Sequence, residues 1–493
     1  MQNWDIVVLL PILFITCFAV IGFVIYKEKI KHSAGFFLLG ILVFWIFASL
    51  VGYQLSKGLN YMASDLSPTT YILLILLSSS IFTIFLKPLA TFYTGVIRMR
   101  KFWTCLSYSG LILTSIILLT VKIDLYTFTI LSILYSLLLS TSTIHNLLLN
   151  EQFYYRINTL PVTWICYTFI GVGSILGVYF GDIQTVIFKN FNFTIFNSLA
   201  IVVGIILLVF SVINKENKNL AGVFDSDVID QLPKKSNWNF LAIYTIVLLL
   251  SLSYSLANSI LITDFLSLKL WEIYKNSEAA NLWVRISGYA TVIPSLLVSY
   301  FIYKYLMKYF GQKYLFMINL FLLFFAYTIL AFVKNPYVFI ILNIFIGISF
   351  NQLMYSLFSL CMFWNYRAPK NPVTGFYGSS LYLGKFIVEV IEQPLVSQNK
   401  SLYGKMPNLS DSYNENLNLN ELDQTYGNTV TIIFACCSVI VLFATLIYFY
   451  TNAKLMADFT DYRLATQNLK TILKKQIMLK AKTKVDVSNG KIA

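Results

Sequence analysis

Long apolar runs separated by short polar connections dominate the chain. The first spans Asp5 to Tyr26, and then come Ala34–Tyr53, Thr70–Ala90, Trp103–Val121, Tyr126–Leu149, Pro161–Phe180 and Ser198–Ile213. After a polar interval the runs resume as Phe240–Ile262, Leu282–Tyr303, Tyr314–Val333, Tyr337–Phe363, Pro372–Val396 and Thr429–Tyr450. A helix needs roughly 20 mostly apolar residues to cross a hydrocarbon layer of ~30 Å. These runs meet that length and are apolar on every face, without the two-residue alternation of barrel strands. The pattern predicts an all-α membrane protein of about thirteen spans.

The polar interval, Lys215 to Trp238, mixes Lys215, Lys218, Lys234 and Lys235 with Asp225, Asp227 and Asp230, so it reads as a solvated linker. It divides the chain into an extra first helix with its basic loop (1–33), a first six-helix unit (34–213), a linker (214–239), a second six-helix unit (240–452) and a basic tail (453–493). In the tail, Asp461 to Leu479 reads as a basic helix, either on anionic headgroups or solvated.

Composition agrees: 58% of residues are hydrophobic and 12% charged, with mean hydropathy +0.71. The net charge of +14 would suggest nucleic acid if it were spread over a surface. Instead the cations gather in alternate connections, at Lys27, Lys29 and Lys31, at Arg98, Arg100 and Lys101, at Arg156, at Lys304, Lys308 and Lys313, and at Arg367 and Lys370. That is the bias that sets membrane orientation, with cationic loops in the cytoplasm. The N-terminus is therefore expected outside, the tail inside, and the long loop Ser397–Gly427 outside. The plasma membrane is the expected location, lipid is the expected surrounding, and no nucleic-acid partner is expected. The six cysteines all lie in apolar runs without metal-ligand spacing, and read as packing residues.

A short motif occurs twice. Tyr155-Arg156, four residues, then Pro161-Val162-Thr163 recurs as Tyr366-Arg367, four residues, then Pro372-Val373-Thr374. Each copy joins the fourth and fifth runs of its set of six. Twelve spans in two duplicated halves around a central linker resemble the major facilitator superfamily of secondary transporters, with one helix added at the start. Ala34 to Tyr450 carry the resemblance. It implies two six-helix bundles related by a pseudo-twofold axis. It also implies tight basic turns after the second and eighth helices, here Lys87 through Gly95 to Arg98, Arg100 and Lys101, and Ile293 through Gly311 to Lys313. Glycine permits such turns and cations hold them at the inner surface. The family's first turn carries an acidic lock between the halves, and Thr91 stands there instead. Arg156 and Arg367 match the family's paired basic turns. The fifth helix has Gly171, Gly173 and Gly177 but no Gly-Pro antiporter signature, and the fourth has no Arg, so the substrate branch is open.

Charges inside spans are costly and mark cavities or partners. The eleventh helix of the duplicated set carries Lys385 near its middle and Glu389 one turn on, with Gly378, Tyr382 and Glu392 extending the stripe. This stripe either lines a central cavity, with Lys385 drawing an anionic group and Glu389 exchanging a proton, or is a self-neutralising pair that orients the helix. His145, with Asn146 beside it, is a candidate coupling or packing group. Asn258, Asn351 and Gln352 are pathway-lining or interhelical amides. Lys87 can snorkel inward.

The resemblance implies a secondary transporter, not an enzyme. It would move a small solute, with Lys385 favouring an organic anion, by alternating access driven by H+, Na+ or a substrate gradient. No cofactor or metal is expected, and no phosphate-binding Gly-rich loop points to a nucleotide. Two other readings stand beside it: an antiporter-like subunit of an ion-pumping complex, and a transporter-like scaffold or receptor that no longer transports.

Overall fold

The computed structural model describes residues 4–62, 81–97, 99–153, 159–188, 192–216, 237–365, 373–397, 400–401, 404–405 and 419–455, with a few isolated positions besides. The described chain is helical apart from two short antiparallel strands, Lys400–Ser401 and Gly404–Lys405. In chain order the helices are α1 (Trp4–Lys27), α2 (His32–Met62), α3 (Ile81–Val96), α4 (Lys101–Thr120), α5 (Leu125–Leu148), α6 (Thr159–Asp182) and α7 (Thr194–Ile213). They continue as α8 (Asn237–Ala257), α9 (Ile260–Tyr274), α10 (Ser277–Phe301), α11 (Met307–Phe332), α12 (Pro336–Asn365), α13 (Val373–Ser397) and α14 (Leu419–Leu455).

Among the described residues, ten helical segments are long and apolar enough to cross a bilayer, which makes the chain an integral membrane protein. Shorter apolar stretches are described at Pro11–Lys27 and Ile81–Val96. Helix α13 has 25 residues but carries three charges, Lys385, Glu389 and Glu392.

The contacts between helices repeat. Within the first set α2 packs on α6, α3 on α5, and α4 on α7; within the second, α8 packs on α13, α10 on α12, and α11 on α14. Two seams join the sets, α3 against α13, and α6 against α10 and α12. Helix α1 lies over the second seam and touches α6 and α10. Phe14 meets Phe180 of α6 edge-on at 5.8 Å, and Phe23 lies 5.0 Å from Phe301 of α10.

Small residues allow the closest crossings, because association in lipid relies on packing and interhelical hydrogen bonds. Gly173, Gly177 and Gly181 face α2, where a Cβ at Gly177 would run into the Ile46 carbonyl oxygen and one at Gly181 into the Tyr53 ring. Across α10 and α12, Ser287, Thr291, Ser295 and Ser299 form an i, i+4 row. Opposite them, Asn343 donates to Ser287 Oγ at 2.9 Å, Asn351 to Ser295 Oγ at 2.7 Å and Gln352 to the Ser299 carbonyl at 2.9 Å.

Three local readings of the sequence are corrected. Residues 263–274, which fall between the runs Phe240–Ile262 and Leu282–Tyr303, form most of α9 despite Asp264, Lys269 and Glu272. Leu261, Phe265, Leu268 and Trp271 are buried, so apolar spacing outweighs the scattered charges. Helix α9 ends at Lys275 in the left-handed conformation (φ 48°), and the Asn276 side chain caps α10, which starts at Ser277 rather than Leu282. Gly95 stays inside α3, whereas Gly311 does break its helix with φ 75°. Arg98, Arg156, Arg367, most of the linker and almost all of the tail lie outside the described residues.

Candidate functional site

Helix α13 separates two faces. Phe376, Leu383 and Val390, seven residues apart, are exposed and form an apolar outward stripe. Lys385 is nine residues from Phe376, half a turn round the helix at 100° per residue, so it sits on the opposite face. Its side chain is nevertheless 50% exposed, so that inner face meets open space. Glu389, 14% exposed, lies 3.6 Å from it. Glu392, expected to extend the stripe, is drawn off: its carboxylate accepts from the Leu261 backbone N–H at 2.7 Å, at the start of α9. There a carboxylate satisfies free N–H groups and the helix dipole.

Below Lys385 on the same face lie Tyr382 and Gly378, and there α3 contributes the cation that the sequence reading left as a snorkelling lysine. Lys87 is 4% exposed. Its stem occupies the place where a side chain on Gly378 would be. The ammonium donates to Ser142 Oγ at 2.9 Å and the Leu139 carbonyl at 3.2 Å, both on α5, and stands 5.4 Å from the Tyr382 ring centre. Pro88 and Thr91 pack against Gly375, and Ser379 donates to the Ile84 carbonyl at 2.5 Å. The α3–α13 seam is thus built on Gly375 and Gly378. No length of sequence near Lys87 signals this, since its neighbours come from α5 and α13.

At the end of the bundle that carries the cationic connections, the sets close on each other. The starts of α6 and α13, downstream of the two motif copies, converge on the end of α12. Tyr167 stacks on Tyr355 at 4.7 Å and Trp164 on Tyr303 at 4.6 Å. Tyr377 donates to the Met354 carbonyl at 2.7 Å, and Ser359 Oγ reaches Thr159 Oγ1 at 3.3 Å. Towards the other end, among the described residues, no extended packing joins α2 to α8. There Asp182 of α6 accepts from Tyr53 of its own set and, across the seam, from Tyr289 of α10, each at 2.9 Å.

The remaining candidates separate. His145 is fully buried among Phe37, Phe44 and Tyr108; Trp45 Nε1 donates to its Nδ1 at 3.3 Å and Tyr108 Oη lies 3.4 Å from its Nε2. Both nitrogens are used in joining α2, α4 and α5, the surroundings of a packing residue. Asn351 and Gln352 belong to the α10–α12 ladder. Asn258 is exposed at the break between α8 and α9, its amide turned back to the Tyr254 carbonyl at 2.8 Å.

The first basic turn is held from the start of the linker and from within its own set. Glu216 accepts from the backbone N–H of Arg100 and Lys101 at 2.9 and 3.0 Å. Arg100 reaches Thr91 O, Thr94 Oγ1 and, at 3.4 Å, the buried Glu151. Thr91 Oγ1 turns back to the Lys87 carbonyl of its own helix. In the second turn Gln312 donates to Ser356 Oγ at 2.5 Å and the Lys313 carbonyl accepts from Tyr448. No protein-family model matches the chain, and none of the curated proteins is detectably similar to it.

Proposed function

We propose that this protein is a secondary transporter of the major facilitator kind, moving a small solute between two six-helix bundles, 34–213 and 240–452, by alternating access. The repeated helix pairing carries this reading. Pairs α2–α6, α3–α5 and α4–α7 recur as α8–α13, α10–α12 and α11–α14, and the two seams exchange equivalent helices, the second of one set against the fifth of the other. Such crossed duplication gives two bodies able to rock about a site at their interface. With Lys385 exposed on an inner face and the cationic end closed by stacked aromatics, the described residues fit a conformation open on the side away from the cationic connections. The positive-inside bias makes that the outside. Substrate or an ion would enter there, and opening of the Tyr167–Tyr355 contact would release it inside.

Flux in proteoliposomes tests the proposal. The purified full-length chain should take up a labelled solute under an imposed H+, Na+ or solute gradient. A cysteine pair at Thr159 and Ser359, in a background lacking native cysteines, should stop the flux when oxidised and restore it when reduced. Absence of gradient-dependent movement of any solute sinks the reading.

A further inference from the structure

We infer that the solute is a small organic monoanion and that Lys87, rather than Lys385, holds its charge. The inference rests on the transport reading and concerns the same central site. Lys385 is already matched to Glu389 at 3.6 Å. Lys87 has no such match: no described carboxylate pairs with it, and its two hydrogen bonds go to neutral oxygens, a serine hydroxyl and a backbone carbonyl. An ammonium has three N–H donors, so one is left for a partner from outside the chain. A cation held this deep persists where it faces a partner or a polar space.

The two lysines are neighbours. Lys87 reaches the level of Tyr382, and Lys385 is three residues further along α13, a rise of about 4.5 Å. Two ammonium groups and one carboxylate leave the site with one positive charge. The Glu392 carboxylate is directed away to the start of α9, where the Leu261 N–H and the positive end of the helix dipole offset its charge.

Around this charge the walls are phenolic. Tyr135 and Tyr167 lie within electrostatic range of Tyr382. Among the described residues the hydroxyls of all three take no hydrogen bond from the chain and are not sealed from solvent. Free phenols both donate and accept, and their rings offer flat apolar faces. That chemistry suits a compact organic body carrying a single negative group better than a bare inorganic ion.

The test counts charge. Full-length protein in nanodiscs is melted with lactate, benzoate and gluconate (charge −1), glucose and benzyl alcohol (0), choline (+1), and malate and phenyl phosphate (−2), and flux of the stabilising probes is measured in proteoliposomes. Stabilisation should concentrate among the −1 probes. Lys87→Met should weaken their binding by at least about tenfold, and Lys87→Arg should restore it. Glu389→Gln, which adds one unit of positive charge to the site, should shift preference toward the −2 probes by about tenfold. Should Lys87→Met fail to fold, the Glu389→Gln shift decides alone. Preference for neutral or cationic probes, undiminished monoanion binding in Lys87→Met, or an unmoved charge preference in Glu389→Gln overturns the inference. Flux of a neutral solute would do so while leaving transport standing; no flux of any solute would remove both.

Discussion

Glu28 and Lys304 meet at 2.6 Å, joining the connection after α1 to the end of α10, and Tyr300 donates to the same Glu28 oxygen. The added first helix is thereby fastened to the second set at one end, while its Phe14 rests on α6 of the first set. Helix α1 spans the seam about which the sets would rock.

The pair is partly exposed, 32% for Lys304 and 15% for Glu28, so water and salt screen it. Glu28→Gln should lower stability by about 1 kcal/mol or less. Melting in nanodiscs at low and high ionic strength checks this: the difference between wild type and variant should shrink as salt rises. A large, salt-independent loss would mean that Glu28 acts through packing instead.

Two glycines on α6 should respond differently to the same methyl group. At Gly177 a Cβ meets the Ile46 backbone carbonyl, which cannot swing aside, whereas at Gly171 it meets the end of the flexible Leu296 side chain. Gly177→Ala should cost about 1–3 kcal/mol by forcing α2 and α6 apart. Gly171→Ala should cost distinctly less. Denaturant titration in mixed micelles measures the order, and equal losses would contradict the close α2–α6 crossing.

What the sequence showed, and what it hid, follows from how far each cause reaches. The all-helical, membrane-spanning character was legible because apolar run length is local. Gly311 was legible as a turn glycine for the same reason. The Lys385–Glu389 stripe was legible because i, i+4 spacing fixes which residues share a helix face. Lys87 was not, since its depth is set by Gly378 and Ser142, far away in the chain. For Asn351 and Gln352 the sequence left a pathway-lining and an interhelical role open, and the contacts with Ser295 and Ser299 are of the interhelical kind. Helix α9 lies outside the apolar runs because Asp264, Lys269 and Glu272 interrupt a buried spacing of Leu261, Phe265, Leu268 and Trp271.

His145 should prove structural. Replacing it by Ala leaves a cavity and strips the Trp45 N–H of its acceptor, for a loss of about 2–4 kcal/mol in stability. The pH profile of flux for a His145→Asn variant should keep the wild-type shape between pH 5.5 and 8, roughly where a coupling histidine would titrate. Loss of that pH dependence would return His145 to the coupling role.

Asp124 caps α5 from the connection after α4, accepting from the Thr127 backbone N–H at 2.8 Å. That hydrogen bond favours the carboxylate and holds the Asp124 pKa below its usual value. With the folded pKa depressed, its stabilising contribution is complete above the usual aspartate pKa of about 3.9 and is lost as pH falls through the folded value. Melting of wild type and Asp124→Ala between pH 6 and pH 2.5 should therefore converge toward the acid end, about where the carboxyl protonates. A gap that stays constant to the lowest pH would show that the cap does not depend on the charge.

Accessibility separates the two faces of α13. In a background without native cysteines, Lys385→Cys should react with a membrane-impermeant thiol reagent added from outside, because the side chain is half exposed on the inner face. Leu383→Cys, on the apolar stripe with Phe376 and Val390, should stay unmodified by the charged reagent while embedded in lipid. Oxidising the Thr159–Ser359 cysteine pair should preserve Lys385→Cys labelling, since it locks the cationic end shut. A driving solute gradient in the unlocked protein should slow it by populating the opposite conformation. Labelling of Leu383→Cys in preference to Lys385→Cys would turn α13 the other way round and leave no open site between the two sets.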